Sequence, residues 1–343
     1  MNMPILTFFN NRGGVGKTSL IYHLAWMFAR LDKRVLVVDL DPQANLTAAF
    51  LEEEVVAELW NSGQGDATIF QCVQSLAETG VAALPSLQTI ATNLSLLPGD
   101  INLAPFENTL ADAWAASSGD GQGAHPLRLL SAFRQIMLTA AEAGRADIVL
   151  VDTGANLGPI NRSVLLASDA VALPLGSDLC SLQGLRGLGS TLRSWRASWR
   201  KRLERRRNSG TAHQEPEFAL PEGVMRPIGY LCRQCDLRLE RPIRVLDQWA
   251  RHIPARYREC VVGESAVEGM TPENDAYCLA VVRPYRSLAA MARECRKPIF
   301  SLTTADGAIG THAEAVQGAK RDFRRLAETI ADKVGLVMAD EAG

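Results

Sequence analysis

The strongest hydrophobic pattern near the start of the chain is an apolar run, a glycine-rich turn, a helical repeat and a second apolar run. Residues 5–9 are apolar or β-forming, which predicts a strand, and residues 17–31 place apolar side chains at helical spacing. Residues 34–39 form a largely apolar run, typical of a strand buried on both faces of a parallel sheet. Together these segments predict a βαβ unit with a tight turn at residues 10–16.

Apolar runs and helical patterns alternate through the rest of the chain. The clearest run covers residues 147–152, and the helical patterns cover residues 126–143 and 313–334. This alternation predicts an α/β fold, a doubly wound, mostly parallel β-sheet flanked by helices. Further strands are predicted at residues 94–97, 170–174, 227–232, 280–282 and 298–302.

The length and composition fit one large domain. The chain has 343 residues, of which 47% are hydrophobic, so it can bury a sizeable core. We expect a single P-loop domain over residues 1–343, with insertions or flexible loops near residues 117–123, 200–223 and 253–274.

Charge and cysteine content narrow the function classes. The net charge of −2 does not indicate a nucleic-acid binder, so any such activity must come from a local basic patch. The seven cysteines show no disulfide pattern, and no apolar run approaches the length of a membrane span. We therefore expect a cytoplasmic protein with reduced cysteines and no stable membrane insertion.

A phosphate-binding loop is the strongest chemical signal. Glycines in Gly-Gly-Val-Gly-Lys-Thr let backbone N–H groups bind phosphate oxygens at a helix N-terminus. Lys17 is expected to reach the β- and γ-phosphates, and the Thr18 hydroxyl to bind Mg²⁺. Asp152 ends an apolar strand, where P-loop proteins hold a carboxylate for Mg²⁺. The pattern predicts ATP and Mg²⁺ binding, with nucleotide contacts from Gly13, Gly14, Val15, Gly16, Lys17, Thr18 and Ser19.

Several segments resemble the ParA/MinD family of deviant Walker A P-loop ATPases, in the order in which that family carries them. Residues 10–19 (NNRGGVGKTS) resemble its Walker A loop, and residues 37–45 (VVDLDPQAN) its switch I. Residues 151–158 (VDTGANLG) resemble Walker B and switch II, and residues 96–103 and 284–299 resemble further landmarks. The resemblance covers about residues 5–330. It implies a slow, partner-stimulated ATPase that forms a homodimer around ATP.

The resemblance also implies roles for individual residues. Asp41 would orient the attacking water, and Asp39 would lie in the Mg²⁺ shell or support it. Arg283 and Pro284 would lie against the adenine. Two further candidates for contact with the base are Cys235 and Asp236.

Arg12 occupies the position of the family's signature lysine, which contacts the partner's phosphates across the dimer. Arginine keeps the charge but is longer, planar and differently hydrated. Three alternatives follow: Arg12 acts in trans as a catalytic arginine, it binds nucleotide but slows hydrolysis, or it turns toward a carboxylate of its own chain.

A basic stretch over residues 186–207 contains a single acid, Glu204. Dense cations bind DNA of any sequence through counterion release, and ParA relatives bind nonspecific DNA through such residues. The alternatives are a solvated helix whose Trp195 and Trp199 pack on the body, an acidic protein partner, or an anionic membrane surface. The DNA-binding candidates are Arg193, Arg196, Arg200, Lys201, Arg202, Arg205, Arg206 and Arg207.

Three functions remain open from the sequence. The first is a ParA-like ATPase for DNA partition or cargo positioning, with a stimulating adaptor protein. The second is a nucleotide-gated protein-interaction module in which hydrolysis is secondary. The third is a metal-cluster carrier, since Cys232 and Cys235 have metal-ligand spacing, although no second pair accompanies them.

Overall fold

The apolar runs form the buried strands of one eight-stranded sheet in the computed structural model, which describes residues 3–61, 68–118, 125–208, 220–233 and 249–338. The sheet order is β3-β4-β2-β5-β1-β6-β7-β8, and β3 pairs antiparallel with β4 while the other pairs are parallel. The predicted fold class is therefore confirmed. The strands are β1 (Ile5–Phe8), β2 (Val35–Leu40), β3 (Gln88–Ala91), β4 (Leu94–Leu97), β5 (Ile148–Thr153), β6 (Ala170–Gly176), β7 (Arg226–Arg233) and β8 (Cys278–Val282).

Helices cover both faces of the sheet. Successive strand residues enter opposite cores, so Ile5 packs in the core on one face and Leu6 in the core on the other. The helices are α1 (Lys17–Arg30), α2 (Asn45–Phe50), α3 (Glu53–Asn61), α4 (Ile69–Thr79), α5 (Phe106–Ala116), α6 (His125–Leu130), α7 (Ala132–Ala143), α8 (Pro159–Ala167), α9 (Leu179–Asn208), α10 (Ile253–Tyr257), α11 (Arg286–Glu294) and α12 (Thr311–Val334). No helix in the described ranges is both long and apolar enough to cross a bilayer.

Two predicted elements are corrected by the structure. The strand predicted at residues 298–302 is a 3₁₀ turn over Ile299–Ser301, whose apolar side chains pack with α1 and α12 in the core on one face of the sheet. The helix predicted at 126–143 is interrupted at Ser131, whose hydroxyl donates to the Leu127 carbonyl at 2.7 Å.

The predicted loop regions are also partly helical. Residues 200–208 continue α9, and residues 253–262 form α10 and a π-helical turn, Arg258–Val262. This turn packs directly on α9, since a Cβ at Gly189 would lie 1.9 Å from the Cys260 carbonyl oxygen. The segment is thus part of the folded body as far as residue 262.

Candidate nucleotide-binding site

The carboxyl ends of β1, β2 and β5 bring the predicted phosphate and metal residues together. Asp39 of β2 and Asp152 of β5 are paired in register on adjacent strands, and β1, on the other side of β5, leads into the glycine loop. Ligand sites of open α/β sheets form at this edge.

The glycine loop has the backbone shape that its sequence requires. Gly14 and Gly16 have φ values of 77° and 88°, in the left-handed region that side chains disfavour. Asn10 fixes the start of the loop, because its Nδ2 donates to the Pro174 carbonyl at 2.7 Å and its Oδ1 accepts from the Arg12 N–H at 3.0 Å. Sequence reasoning assigned no role to Asn10.

Lys17 lies within this loop and is 7% exposed. Its Nζ donates to the Asn10 carbonyl at 3.3 Å, a long contact that leaves other N–H groups for a phosphate. Burial lowers the pKa of Lys17, while the charges of Asp152 and Asp41 favour the ammonium form. The position therefore suits a cation that binds an anion entering the loop.

Thr18 and two buried carboxylates form a donor set that suits Mg²⁺. The Thr18 hydroxyl donates to Asp152 Oδ2 at 2.6 Å. Burial raises the pKa of Asp152, with the nearby charge of Asp39 adding to the shift, and burial also raises the pKa of Asp39. Two buried carboxylates without a cation repel each other, and a hard divalent ion would relieve that repulsion.

Asp39 also holds the switch I segment. Its Oδ2 accepts from both the N–H and the hydroxyl of Thr47 at 2.8 Å, and its Oδ1 accepts from the Asp41 N–H at 3.2 Å. The Gly99 N–H donates to the Thr47 hydroxyl at 2.8 Å, and a Cβ at Gly99 would lie 2.9 Å from Asp39 Cγ. These contacts fit the supporting role for Asp39.

Asp41 belongs to switch I and lies beside switch II. Its Oδ1 accepts from the Gln43 N–H at 3.0 Å and would lie 3.4 Å from a Cβ at Gly154, just after β5. Ala44, at φ 49°, ends this turn and begins α2. A carboxylate in this position can accept a proton or hydrogen bond from a group beside the loop.

Arg12 is turned toward a carboxylate of its own chain, the third of the sequence alternatives. Its Nη1 donates to Asp178 Oδ1 and to the Ser181 hydroxyl, the latter at 3.2 Å. Burial raises the pKa of Asp178, but the hydrogen bonds from the Ser181 N–H and Arg12 outweigh it and hold the pKa below its usual value. The Arg12 and Asp178 side chains are 44% and 37% exposed, so the ion pair is accessible to competitors.

A second arginine at the loop was missed by sequence reasoning. Arg233 ends β7, and its Nη1 donates to the Gly14 carbonyl at 3.2 Å. It lies between Cys232 and Cys235, whose spacing indicated a metal site and gave no sign of an arginine at the loop.

The structure describes two of the four residues that were predicted to contact the base. Cys235 and Asp236 lie outside the described residues. Arg283 and Pro284 follow β8 at the same edge of the sheet as the glycine loop, and Arg283 Nε lies 3.7 Å from Asp322 Oδ2 on α12. Cys232 is buried, and no group of three metal-ligating side chains occurs within the described part of the chain.

The basic stretch forms the second half of α9, and its arginines divide into two groups. Arg202 is 7% exposed, donates to Ser117 Oγ, Ser198 O, Trp114 O and Ser118 Oγ, and lies 3.8 Å above the Trp114 ring. Its assignment to a DNA surface is therefore corrected.

The other members of the basic stretch are more available. Arg193 and Arg196 bind the carbonyls of Cys260 and Met225, and Arg206 is partly buried. Trp199 is fully buried, as the packed-helix alternative requires, and its Nε1 donates to the Pro221 carbonyl at 2.8 Å. The exposed members are Arg186, Arg193, Arg200, Lys201, Arg205 and Arg207.

Comparisons with known proteins place the chain in a family. Residues 3–205 match a family described as an AAA domain. The sporulation initiation inhibitor protein Soj of Bacillus subtilis is 29% identical over 190 residues, which cover 55% of this chain and 64% of that protein. The chromosome-partitioning ATPase Soj of Thermus thermophilus is 32% identical over 194 residues, which cover 57% of this chain and 63% of that protein. The chain thus matches less than two thirds of the length of either relative.

Solved structures show the same fold over nearly the whole chain. A Corynebacterium diphtheriae protein has a TM-score of 0.66 at 23% identity, covering 96% of this chain and 98% of that one. A putative plasmid partition protein from Borrelia burgdorferi, bound to AMPPNP, has a TM-score of 0.57 at 15% identity, covering 97% of this chain and 100% of that one.

Proposed function

Because the chain belongs to the AAA-domain family of ParA/MinD-type P-loop ATPases, we propose that it hydrolyses ATP in a dimerisation cycle for DNA partition or cargo positioning. ATP·Mg²⁺ drives dimerisation, the dimer binds nonspecific DNA, and hydrolysis releases it. The observation that carries this proposal is the convergence of Lys17, the Thr18–Asp152 pair and the Asp39–Thr47 network at one end of the sheet.

Each residue of the loop has a defined task in this proposal. Lys17 binds the terminal phosphates, and the glycine loop donates backbone N–H groups to them. Thr18 and Asp152 would hold Mg²⁺, and Asp39 keeps switch I in position. Bound Mg²⁺ would neutralise charge on the β- and γ-phosphates.

Hydrolysis needs a positioned water and a way to signal the nucleotide state. Asp41 orients the water, since it lies where switch I meets switch II. Arg12 leaves Asp178 in the ATP state and contacts the partner's phosphates, with an adaptor protein accelerating turnover. The accessible Arg12–Asp178 pair supports this exchange, because an exposed ion pair is worth only ~0.2–1 kcal/mol.

The DNA surface is assigned to the exposed side of α9. Arg200, Lys201 and Arg207 are exposed, and Arg205 contributes one hydrogen bond to the Ser118 carbonyl while remaining exposed. Cations on a helix surface bind phosphates without reading sequence. The cytoplasmic location expected from the sequence is part of this proposal.

A nucleotide-gated protein-interaction module is the second candidate. The observation that favours it is the engagement of Arg12 by Asp178 and Ser181 of its own chain, which keeps the arginine away from a partner's phosphates. In that case the basic face of α9 binds an acidic protein and hydrolysis is secondary.

Binding to a random-sequence DNA duplex tests the proposal. Fluorescence anisotropy is measured with ATP·Mg²⁺, with ADP·Mg²⁺ and without nucleotide, each over a range of salt concentrations. Tight binding only with ATP, falling steeply with salt, is expected. Lys17→Ala should lose the ATP-dependent binding, whereas Asp41→Ala should keep it and fail to release DNA, because hydrolysis is blocked.

Two results would contradict parts of the proposal. Absence of DNA binding in all three nucleotide states would reject the DNA clamp and favour the protein-interaction module. Full ATP turnover by Asp41→Ala would show that the switch I assignment is wrong.

A further inference from the structure

Arg233 lies over the glycine loop from a strand that is two strands away from β1 in the sheet. Its Nη1 donates to the Gly14 carbonyl at 3.2 Å and would lie 3.9 Å from a Cβ at Gly16. The side chain is exposed, and within the described ranges no carboxylate forms an ion pair with it. The guanidinium is therefore held at the loop by a neutral partner.

The backbone of Arg233 is fixed by the turn that follows β6. The Ser177 hydroxyl, which is buried, donates to the Arg233 carbonyl. Asp178, the next residue, binds Arg12. A Cβ at Gly176 would lie 2.7 Å from Asp178 Oδ2, so the carboxylate packs closely against the backbone of the turn. One short turn thus positions both arginines that flank the phosphate loop.

The two arginines differ in the partners that they already have. Arg12 forms an ion pair and a hydroxyl contact, whereas among the described residues Arg233 donates to one backbone carbonyl. A hydrogen bond from guanidinium to a phosphate oxygen is charge-assisted and about twice as strong as one between neutral groups. An anion in the loop would therefore compete well for Arg233.

We propose that Arg233 binds the phosphate chain of the nucleotide in its own subunit. This inference rests on the proposed function, because it requires ATP at the glycine loop. Arg233 leaves the Gly14 carbonyl and donates to phosphate oxygens, supplying a second cation beside Lys17. Arg12 then remains available for the partner subunit, so the tasks of the two arginines are divided between cis and trans.

Arg226 offers a matched control at the other end of the same strand. It is the first residue of β7, is exposed, and donates to a backbone carbonyl, that of Lys333, at 2.7 Å. Arg226→Ala removes the same chemical groups as Arg233→Ala, far from the glycine loop. Any general effect of losing an arginine from β7 appears in both variants.

The experiment measures affinity for a fluorescent ATP analogue and displacement of that analogue by ADP and by inorganic tripolyphosphate. Arg233→Ala should weaken ATP, ADP and tripolyphosphate about 10-fold or more, since hydrogen bonds to charged groups contribute ~1.5–3 kcal/mol. Arg233→Lys should fall between the wild type and Arg233→Ala, because it keeps the charge without the planar fork. Arg226→Ala should stay within about twofold of the wild type.

Tripolyphosphate separates a phosphate contact from other roles. Equal loss of ATP and tripolyphosphate affinity supports the inference. Loss of ATP affinity alone would move Arg233 to the base or ribose and overturn it, as would unchanged ATP affinity in Arg233→Ala. A wild type that binds neither ligand would reject the proposed function itself, which is a distinct result. If Arg233→Ala unfolds, Arg233→Lys decides between the same outcomes.

Discussion

His23 lies in α1, just beyond the phosphate loop, and is 4% exposed. Its Nδ1 lies 2.6 Å from the Ser19 carbonyl, and its ring stacks on Phe323 with centroids 4.9 Å apart. Burial lowers the pKa of His23 from 6.5 to about 4, partly offset by the hydrogen bond to Ser19. The ring is therefore neutral in the folded protein at neutral pH.

This shift predicts a measurable pH dependence of stability. Because the folded pKa lies below the unfolded value, the unfolded chain takes up the proton first, and stability falls as pH drops from about 6.5 toward 4. His23 should cost ~1 kcal/mol of unfolding free energy between pH 7 and pH 5.5. The measurement is urea denaturation of the wild type and His23→Phe at both pH values.

The comparison between variants is needed because Asp39 and Asp152 titrate with the opposite sign. Their pKa values are raised by burial, so they stabilise the fold as pH drops through the same range. That contribution is common to both proteins and cancels in the difference. A difference that does not change with pH would contradict the neutral buried state of His23. His125→Phe, at an exposed histidine, is the control for the substitution itself.

At the scale of elements, α9 combines a packed side and an exposed side. Trp114 of α5 lies between two guanidinium groups, those of Arg162 at 4.0 Å and Arg202 at 3.8 Å from its ring centroid. Burial and the charge of Arg202 lower the pKa of Arg162 to about 10. Arg202 lies on the packed side of α9 and holds this helix against α5. The arginines on the opposite side of α9 face solvent.

Two arginines on α9 should therefore respond differently to truncation. Arg202→Ala removes hydrogen bonds to Ser117, Ser118 and Trp114 and should lower the unfolding free energy by ~2–3 kcal/mol. Arg200→Ala, at an exposed position of the same helix, should change stability by ~0.5 kcal/mol or less and weaken DNA binding. Equal destabilisation by both variants would contradict the division of the helix.

Local sequence signals predicted the parts of the site that depend on short stretches of chain. The glycine loop and Asp152 follow from glycine spacing and from an apolar run that ends in a carboxylate. The role of Arg202 depends on partners more than 80 positions away, and Arg233 meets Gly14 across 219 positions. No spacing rule reports such contacts, because they arise when the sheet order places distant segments side by side.

The edge elements show the same limit at the scale of strands. β3 is short, partly exposed and antiparallel, so its sequence lacks the apolar run that identified the buried strands. The segment at 298–302 has such a run but lies under helices. Burial alone therefore cannot separate a strand from a packed turn when the run is only a few residues long.

At the scale of the whole molecule, the direction of the strands indicates where the candidate nucleotide site lies, whereas the volume of a cavity does not. A groove of about 1050 Å³ opens at the amino ends of the strands, where Arg34 pairs with Asp147 at 2.6 Å. The phosphate loop and both switch segments lie at the carboxyl ends. The loop region carries two buried carboxylates and a buried lysine, a set of charges that suits a nucleotide with its metal ion.

In the proposed cycle the loop region also controls association between subunits, and a substitution of Asp178 tests this. Asp178→Asn weakens the ion pair with Arg12 but keeps an oxygen that can accept from the Ser181 N–H at the start of α9. If Arg12 acts in trans, the ATP-dependent dimer should form at about 2- to 30-fold lower protein concentration, since two exposed ion pairs, each worth ~0.2–1 kcal/mol, are broken per dimer. Sedimentation velocity with ATP·Mg²⁺ in the hydrolysis-deficient Asp41→Ala background measures this shift.

Arg12→Ala provides the complementary arm of the same experiment. It should abolish the ATP-dependent dimer, and the Arg12→Ala, Asp178→Asn double variant should behave like Arg12→Ala alone, because Asp178 then has no arginine to release. A dimer that persists in Arg12→Ala would show that Arg12 belongs to its own chain in both nucleotide states. The ion pair would then stabilise one subunit without controlling how two subunits meet.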